Sequence, residues 1–265
     1  MAPTVWREHS TNLVGIPTGL LASAAFNEHP LRLRIAGVRE TNPALFEMLD
    51  QASDRAQAAD AFEKYMSAVF AINEPETRQR RRYRSSYRRL LEGWGFDANS
   101  PAGAVFKGWV ESRFGLTPVF HKAAIGRVGS PAWATYIEEK MHNRYHNNSI
   151  NAQLDLLYEF CQWSLRRFRR PASRHIRLFR GMRDFREHDI VERPTRRTAV
   201  MRLNNLVSFT ADRGVADTFG DIVVEAHVPA AKVVFFRDLL PAHPLTGEAE
   251  YLVVGGDYHL SIDKL

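Results

Sequence analysis

One cysteine in 265 residues excludes a disulfide framework. That residue, Cys161, closes the stretch Leu156-Leu157-Tyr158-Glu159-Phe160-Cys161, where a small apolar core role is the plain reading, and a chain so poor in cysteine fits a reducing compartment. Long hydrophobic runs are missing too. The apolar stretch from Leu13 to Phe26 is broken by Gly15, Pro17 and Gly19 and is too short to span a bilayer. It follows Glu8 and lacks a basic leader, so neither a signal peptide nor a membrane span is expected and the expected location is the cytoplasm. Gly-x-Gly-x-x-Gly, the P-loop pattern and Gly-x-Ser-x-Gly are all absent, which argues against Rossmann-type dinucleotide binding, P-loop phosphate binding and a serine-hydrolase elbow. There is no internal repeat and no low-complexity tail.

What is present is an ordinary globular composition, 45% apolar and 25% charged, enough for one large domain or two intimately packed ones. The net charge is +6 and the excess is arginine-rich. Such a balance permits an acidic partner without naming one.

The pattern changes character along the chain. Residues 1–43 look irregular, with one candidate strand at Leu31–Ile35 whose apolar residues alternate. From Pro43 to about Phe70 apolar residues recur three and four apart, as in a helix, and Asn73 and Pro75 stop the pattern. Further helices are expected near Ser85–Trp94, Pro101–Phe114, Pro131–Arg144 and Asn151–Phe168. After Pro171 short β-rich runs follow, at His175–Phe179, Ala199–Phe209, Ile222–Val228, Lys232–Phe236, Tyr251–Val254 and Tyr258–Ile262. Asp212-Arg213-Gly214 and Gly255-Gly256-Asp257 read as turns between them. The expected class is α+β, with a mainly helical region over 1–170 and a β-rich region over 171–265 forming one compact unit.

Three short pieces of the β-rich region carry chemistry in a fixed order: Phe179-Arg180-Gly181, Ser208-Phe209-Thr210 and Glu248-Ala249-Glu250. An arginine fork grips a pyrophosphate bidentately, hydroxyls position a ribose or a carboxylate, and a carboxylate stabilises a sugar cation as it forms. On a strand, Ser208 and Thr210 share a face, as do Glu248 and Glu250 if their strand begins there. Phe219 follows Ser208 by eleven residues, at the end of a short helix expected over Gly214–Thr218, and an aromatic there can stack on a flat heterocycle. Taken singly, each piece also has a bland reading. Arg180 reads as a surface arginine in a turn, Phe219 as a core residue and Glu248-Ala249-Glu250 as the polar start of a strand.

Together the pieces resemble the arginine–serine–glutamate class of ADP-ribosyltransferases, with its aromatic-Arg-Gly strand, Ser-x-Ser/Thr strand and Glu-x-Glu. Within that class the chain is similar to the dinitrogenase reductase ADP-ribosyltransferases of nitrogen-fixing bacteria. The likeness runs from Tyr145-His146-Asn147-Asn148 through Phe179–Asp184 and Ser208–Asp212 to Gly247–Gly256, and it departs from the family's Ser-Thr-Ser only in Phe209 and Thr210, which keep the hydroxyls at both ends. The resemblance implies a helical N-terminal half packed on an ADP-ribosyltransferase-like β-sandwich, and NAD+ as a co-substrate. It implies that Arg180 pairs with the NAD+ phosphates, that the Gly181 backbone bonds the nicotinamide carboxamide, and that Phe219 stacks on the nicotinamide. Ser208, with Thr210 beside it, would orient the nicotinamide ribose and the catalytic carboxylate. Glu250 would bond the ribose 2′-hydroxyl and stabilise the oxocarbenium ion, while Glu248 would engage an arginine acceptor. The implied protein partners are the nitrogenase iron protein as substrate and a PII signalling protein as regulator. The alternatives are another protein acceptor, or a non-catalytic module that binds a nucleotide or nucleic acid.

Two arginine clusters remain: Arg78, Arg80, Arg81, Arg82, Arg84, Arg88 and Arg89, interleaved with Tyr83 and Tyr87, and Arg166, Arg167, Arg169 and Arg170. A solvated face or a surface that docks the protein substrate is expected of them rather than nucleic-acid binding. His142 and His146 stand four apart without a third ligand, so no metal site is expected.

Overall fold

A computed structural model describes residues 12–72, 86–169, 174–183, 189–241 and 251–264. The N-terminal half is helical and the C-terminal half is an antiparallel sheet, an α+β architecture. Three short helices come first: α1 (Thr18–Ala22), α2 (Ala24–Glu28) and α3 (Val38–Thr41). The periodic stretch beginning at Pro43 is two helices rather than one. α4 (Pro43–Asp50) is followed by α5 (Arg55–Phe70), because Asp54 accepts from the Gln57 amide at 2.9 Å and starts a new N-terminus. α5 ends with Ala71 at φ 52°; Asn73 and Pro75 lie outside the described residues.

α6 (Tyr87–Phe96), α7 (Pro101–Phe114), α8 (Pro131–His142) and α9 (Asn148–Phe168) follow. Ser100-Pro101 and Ser130-Pro131 are serine caps with proline at the first helical position, and each serine oxygen accepts a backbone amide three residues on, from Gly103 and Trp133. Asn147 caps α9 by accepting from the Ile150 amide at 2.9 Å, which moves the start of α9 three residues upstream of the expected Asn151.

Leu31–Ile35 is not a strand. Leu33 and Ile35 are buried as the alternation suggests, but no ladder partner runs beside them among the described residues; the Ile35 amide instead donates to the Glu159 carboxylate at 2.9 Å. A two-stranded ribbon, β1 (Phe120–His121) and β2 (Ala123–Ala124), lies between α7 and α8 and has no counterpart in the sequence pattern.

The main sheet is built from β3 (His175–Met182), β4 (Asp189–Glu192), β5 (Thr198–Phe209), β6 (Ile222–Pro229), β7 (Val233–Phe236) and β8 (Tyr251–Lys264), with α10 (Arg213–Asp217) between β5 and β6. Its order is β3-β6-β8-β5-β4, all antiparallel, with β7 paired to the start of β8. The two layers of the expected sandwich are one sheet curled on itself: Phe179 and Thr210 exchange backbone bonds at 2.8 and 2.9 Å, joining β3 to the end of β5.

Tyr251–Val254 and Tyr258–Ile262 form a single strand, because Gly255-Gly256 is a bulge and not a turn. The pairing of β5 with β8 slips between Leu203 and Leu206, and a Cβ on Gly255 would stand 1.7 Å from the Asn204 carbonyl oxygen. Gly256 sits at φ 118° against the Ala22 carbonyl.

One hydrophobic core runs through both halves, from Leu21 and Phe62 to Leu260 and Ile262. α9 is its axle. Tyr158 donates to the Ala231 carbonyl and Gln162 to those of Ala230 and Val233, fixing the helix to the turn before β7. Cys161 is wholly buried there, in the core role its sequence context suggests.

Candidate active site

β3 delivers Arg180. Ile176 and Leu178 face the core, Arg177 faces solvent, and the same alternation turns Arg180 inward at the strand's far end. Arg180 Nη1 donates to the Ser208 carbonyl at 2.8 Å, across the seam closed by Phe179 and Thr210. Ser208 Oγ in turn accepts from Trp94 Nε1 at 2.9 Å. Arg180, Ser208 and Trp94 line one cavity of about 140 Å³. A space near this size holds a single small ring, not a dinucleotide.

Sequence reasoning missed the helical side of this cavity. Trp94 comes from α6, Asn99 from the turn before α7 and Lys107 from the middle of α7, more than seventy residues before Arg180. No local pattern joins them to the β-rich pieces. The link is made by Asn204 and Asn205 at the bulge of β5. Asn205 Nδ2 donates to the carbonyls of Lys107 and Leu116 at 2.9 and 2.8 Å; Asn204 accepts from the Val119 amide and donates to the Phe120 carbonyl. These amides clamp α7 and the segment after it onto the strand that carries Ser208.

Lys107 is buried, and burial holds its ammonium down to about 7. Nζ donates to Asn99 Oδ1 at 2.9 Å and to the Phe120 carbonyl at 3.1 Å, and it lies 3.3 Å from His121 Nδ1. His121 Nε2 is 2.8 Å from Glu139, which also pairs with Lys122. A charged Lys107 requires His121 Nδ1 as acceptor, which leaves the Nε2 proton to be donated to Glu139. Burial, then Lys107, hold the imidazole low against the opposing pull of Glu139, consistent with that neutral form.

Gly181 pairs with Val223 on β6 and faces away from the cavity. A Cβ there would come 2.1 Å from the Ala216 carbonyl oxygen and 3.1 Å from the Phe219 Cβ, so the glycine is what lets α10 lie on β3. Phe219 is 37% exposed and stands at this strand end without lining the cavity. Thr210 is 1% exposed, and its hydroxyl accepts from the Asp212 amide at 3.0 Å, within the turn that starts α10. The structure thus brings Arg180 and Ser208 together, sets Phe219 beside Gly181, and places the Thr210 hydroxyl in the framework.

Glu248 and Glu250 lie outside the described residues. Tyr251, which follows Glu250 in the chain, pairs with Phe209, and Leu252 pairs with Ser208. α8 ends at His142, so His146 is not on the same helix, and among the described residues no three His, Cys, Asp or Glu side chains converge on a metal position. No helix among them is long and apolar enough to cross a membrane.

An arginine and a serine fixed together at the seam of a curled antiparallel sheet suit an NAD+-dependent ADP-ribosyl-transferring enzyme, the class to which the chain's sequence relatives belong. More narrowly, the chain belongs to the dinitrogenase reductase ADP-ribosyltransferase family, whose sequence profile matches residues 11–262. It is 57% identical over 257 residues to the NAD(+)--dinitrogen-reductase ADP-D-ribosyltransferase of Rhodospirillum rubrum, covering 94% of this chain and 93% of that relative. No solved structure matches the chain.

Proposed function

We propose that this enzyme transfers ADP-ribose from NAD+ to an arginine side chain of dinitrogenase reductase, inactivating it, and that it does so in the cytoplasm under the control of a PII signalling protein. The observation that carries the catalytic part is the Arg180–Ser208–Trp94 chain of hydrogen bonds. The acceptor protein is supported by the name of the Rhodospirillum rubrum relative, and the regulator by the family resemblance.

Arg180, fixed through Nη1, presents a guanidinium to a phosphate of NAD+. The Gly181 backbone holds the carboxamide, and the exposed Phe219 ring beside it covers the nicotinamide. Ser208, held by Trp94, orients the ribose, with Thr210 supporting the turn beneath it. The glycosidic C–N bond breaks, and nicotinamide leaves with the electron pair. Glu250 stabilises the oxocarbenium ion that remains. A free guanidinium, with pKa above about 12, is a poor nucleophile. Glu248 orients it and accepts its proton as the new C–N bond forms.

The test is mass spectrometry of purified dinitrogenase reductase after incubation with this enzyme and NAD+. The expected product carries one ADP-ribose on an arginine. Glu250→Gln should lose both transfer and nicotinamide release by roughly 10²–10³-fold or more, the scale for removing a charge-stabilising group. Glu248→Gln should lose transfer while keeping most of the nicotinamide release. Equal loss in both variants, with both folded, would refute the division of roles; nicotinamide release without modification would refute the acceptor.

A further inference from the structure

A second cavity, of about 430 Å³, opens at the other end of β3, between the last turns of α9, the extended segment at Pro30–Arg32 and the turn from β6 to β7. Four arginines line it: Arg32, Arg166, Arg169 and Arg174. None of the described lining residues is acidic. Glu159, close enough to act on Arg166 and Arg32, is already committed to Arg39 at 2.5 Å and to the Ile35 amide at 2.9 Å. Burial and then its arginine neighbours hold the Arg166 guanidinium down to about 10, with Glu159 only partly opposing them. Arg169 donates Nη2 to the His175 carbonyl at 2.9 Å, while its buried Nη1 has no hydrogen-bond partner among the described residues. Gln162 aside, the rest of the wall is apolar, with Leu31, Leu165 and Ala230 among its members.

This cavity shares no residue with the one at Arg180. Arg174 and Arg180 are six residues apart along extended chain, which at about 3.3 Å per residue separates them by roughly 20 Å. Like charges gathered with only partial compensation repel, and an anion bound among them removes that cost. Arginine forks match phosphate oxygens in geometry as well as charge. The volume falls in the range of small-ligand sites, roughly 300–1,000 Å³, and an apolar wall beside a few convergent polar groups is their usual lining. A concave site of this kind suits a small ligand better than the face of a protein.

We propose that this cavity binds a small ligand of the nucleoside diphosphate class, with its phosphates among the four arginines and its base against the Leu31–Leu165 wall. The proposal does not depend on the reaction assigned to the Arg180 cleft.

The test is calorimetric titration of the full chain with ADP, using an Arg180→Ala background to remove the phosphate grip of that cleft. One ADP should bind per chain. Adding Arg166→Ala should weaken binding about tenfold or more, the scale of a lost charge-assisted contact. Arg32→Ala, at an exposed side chain, should weaken it in the same direction. Inorganic pyrophosphate should bind less tightly than ADP because it leaves the apolar wall uncovered. No ADP binding in the Arg180→Ala background, or binding indifferent to both Arg166→Ala and Arg32→Ala in folded protein, would overturn the site. Equal affinity for pyrophosphate and ADP would overturn the nucleotide assignment.

Discussion

Arg174, Arg177 and Arg180 stand three residues apart along β3 and its first approach, and the fold gives each a different fate. At one end Arg180 is fastened to the Ser208 carbonyl, beside a cavity of about 140 Å³ whose walls come from strand and helix alike. At the other end Arg174 joins three more arginines around about 430 Å³ with no acid among the described lining residues. In the middle Arg177 lies exposed with Glu225 at 2.7 Å. The Arg180 end has geometry: a backbone seam, a fixed fork and a serine held by Trp94. The Arg174 end has charge and space. The first is what bond-breaking chemistry needs, since donors set in advance cost no reorganisation during reaction. The second is suited to capture of an anion.

The largest expected effect breaks the first end. Arg180→Lys keeps the charge but loses the planar fork, so it cannot hold the Ser208 carbonyl and a phosphate in fixed relation. NAD+ cleavage should fall by about 10²-fold or more, on the scale of removing a preorganised donor. Nicotinamide release under kcat/KM conditions measures it. Activity within a factor of two of the parent would show that charge alone suffices there, and the contrast between the two ends would collapse.

Gly181→Ala is the next largest. The added Cβ meets the Ala216 carbonyl at 2.1 Å, and a backbone atom in a short helix cannot yield cheaply. α10 must shift, carrying Phe219 with it. Forced packing of this kind costs about 1–3 kcal/mol, measurable by denaturant unfolding, and NAD+ affinity should weaken along with stability. A variant that unfolds at the parent's midpoint would show that α10 is not seated on β3 as described.

Much of this was legible in the chain. The helix starts at Pro101 and Pro131 were legible because a proline at the first helical position acts locally; the serine caps before them came from the structure. The three-piece order marked Arg180 and Ser208 together, and both line one cavity. The misses came from partners far along the chain. Leu31–Ile35 alternates like a strand, but the carboxylate that takes its Ile35 amide is 124 positions away. Gly255-Gly256 looks like a turn until Asn204 and Ala22 are seen pressed against it. Trp94 and Lys107 reach the cavity only because Asn204 and Asn205 clamp α7 to β5. Thr210 was marked for its hydroxyl, which is engaged with the start of α10. Glu248 and Glu250, the most chemically telling pair in the sequence, lie outside the described residues.

The smallest effect sharpens the comparison from its midpoint. Arg177 pairs with Glu225 on the solvent face, and its bond to Glu225 is the leading cause holding that carboxylate below its ordinary range. A carboxylate lowered in the folded state adds stability above its unfolded pKa, near 4.5, and that stability is lost as pH falls through the lower folded value. Both partners face water, so solvent screens the pair and its worth is slight. Arg177→Ala should therefore leave NAD+ cleavage at the parent rate. Its small loss of stability at neutral pH and low salt should shrink in molar salt and disappear once Glu225 is protonated. Denaturant midpoints across pH 3–7, at low and high salt, would follow it. A deficit that persisted in acid and in high salt would mean that Arg177 acts through packing, its guanidinium lying 5.0 Å from the Phe179 ring. The middle of β3 would then belong to the framework of the Arg180 site rather than to the solvent face that separates the two ends.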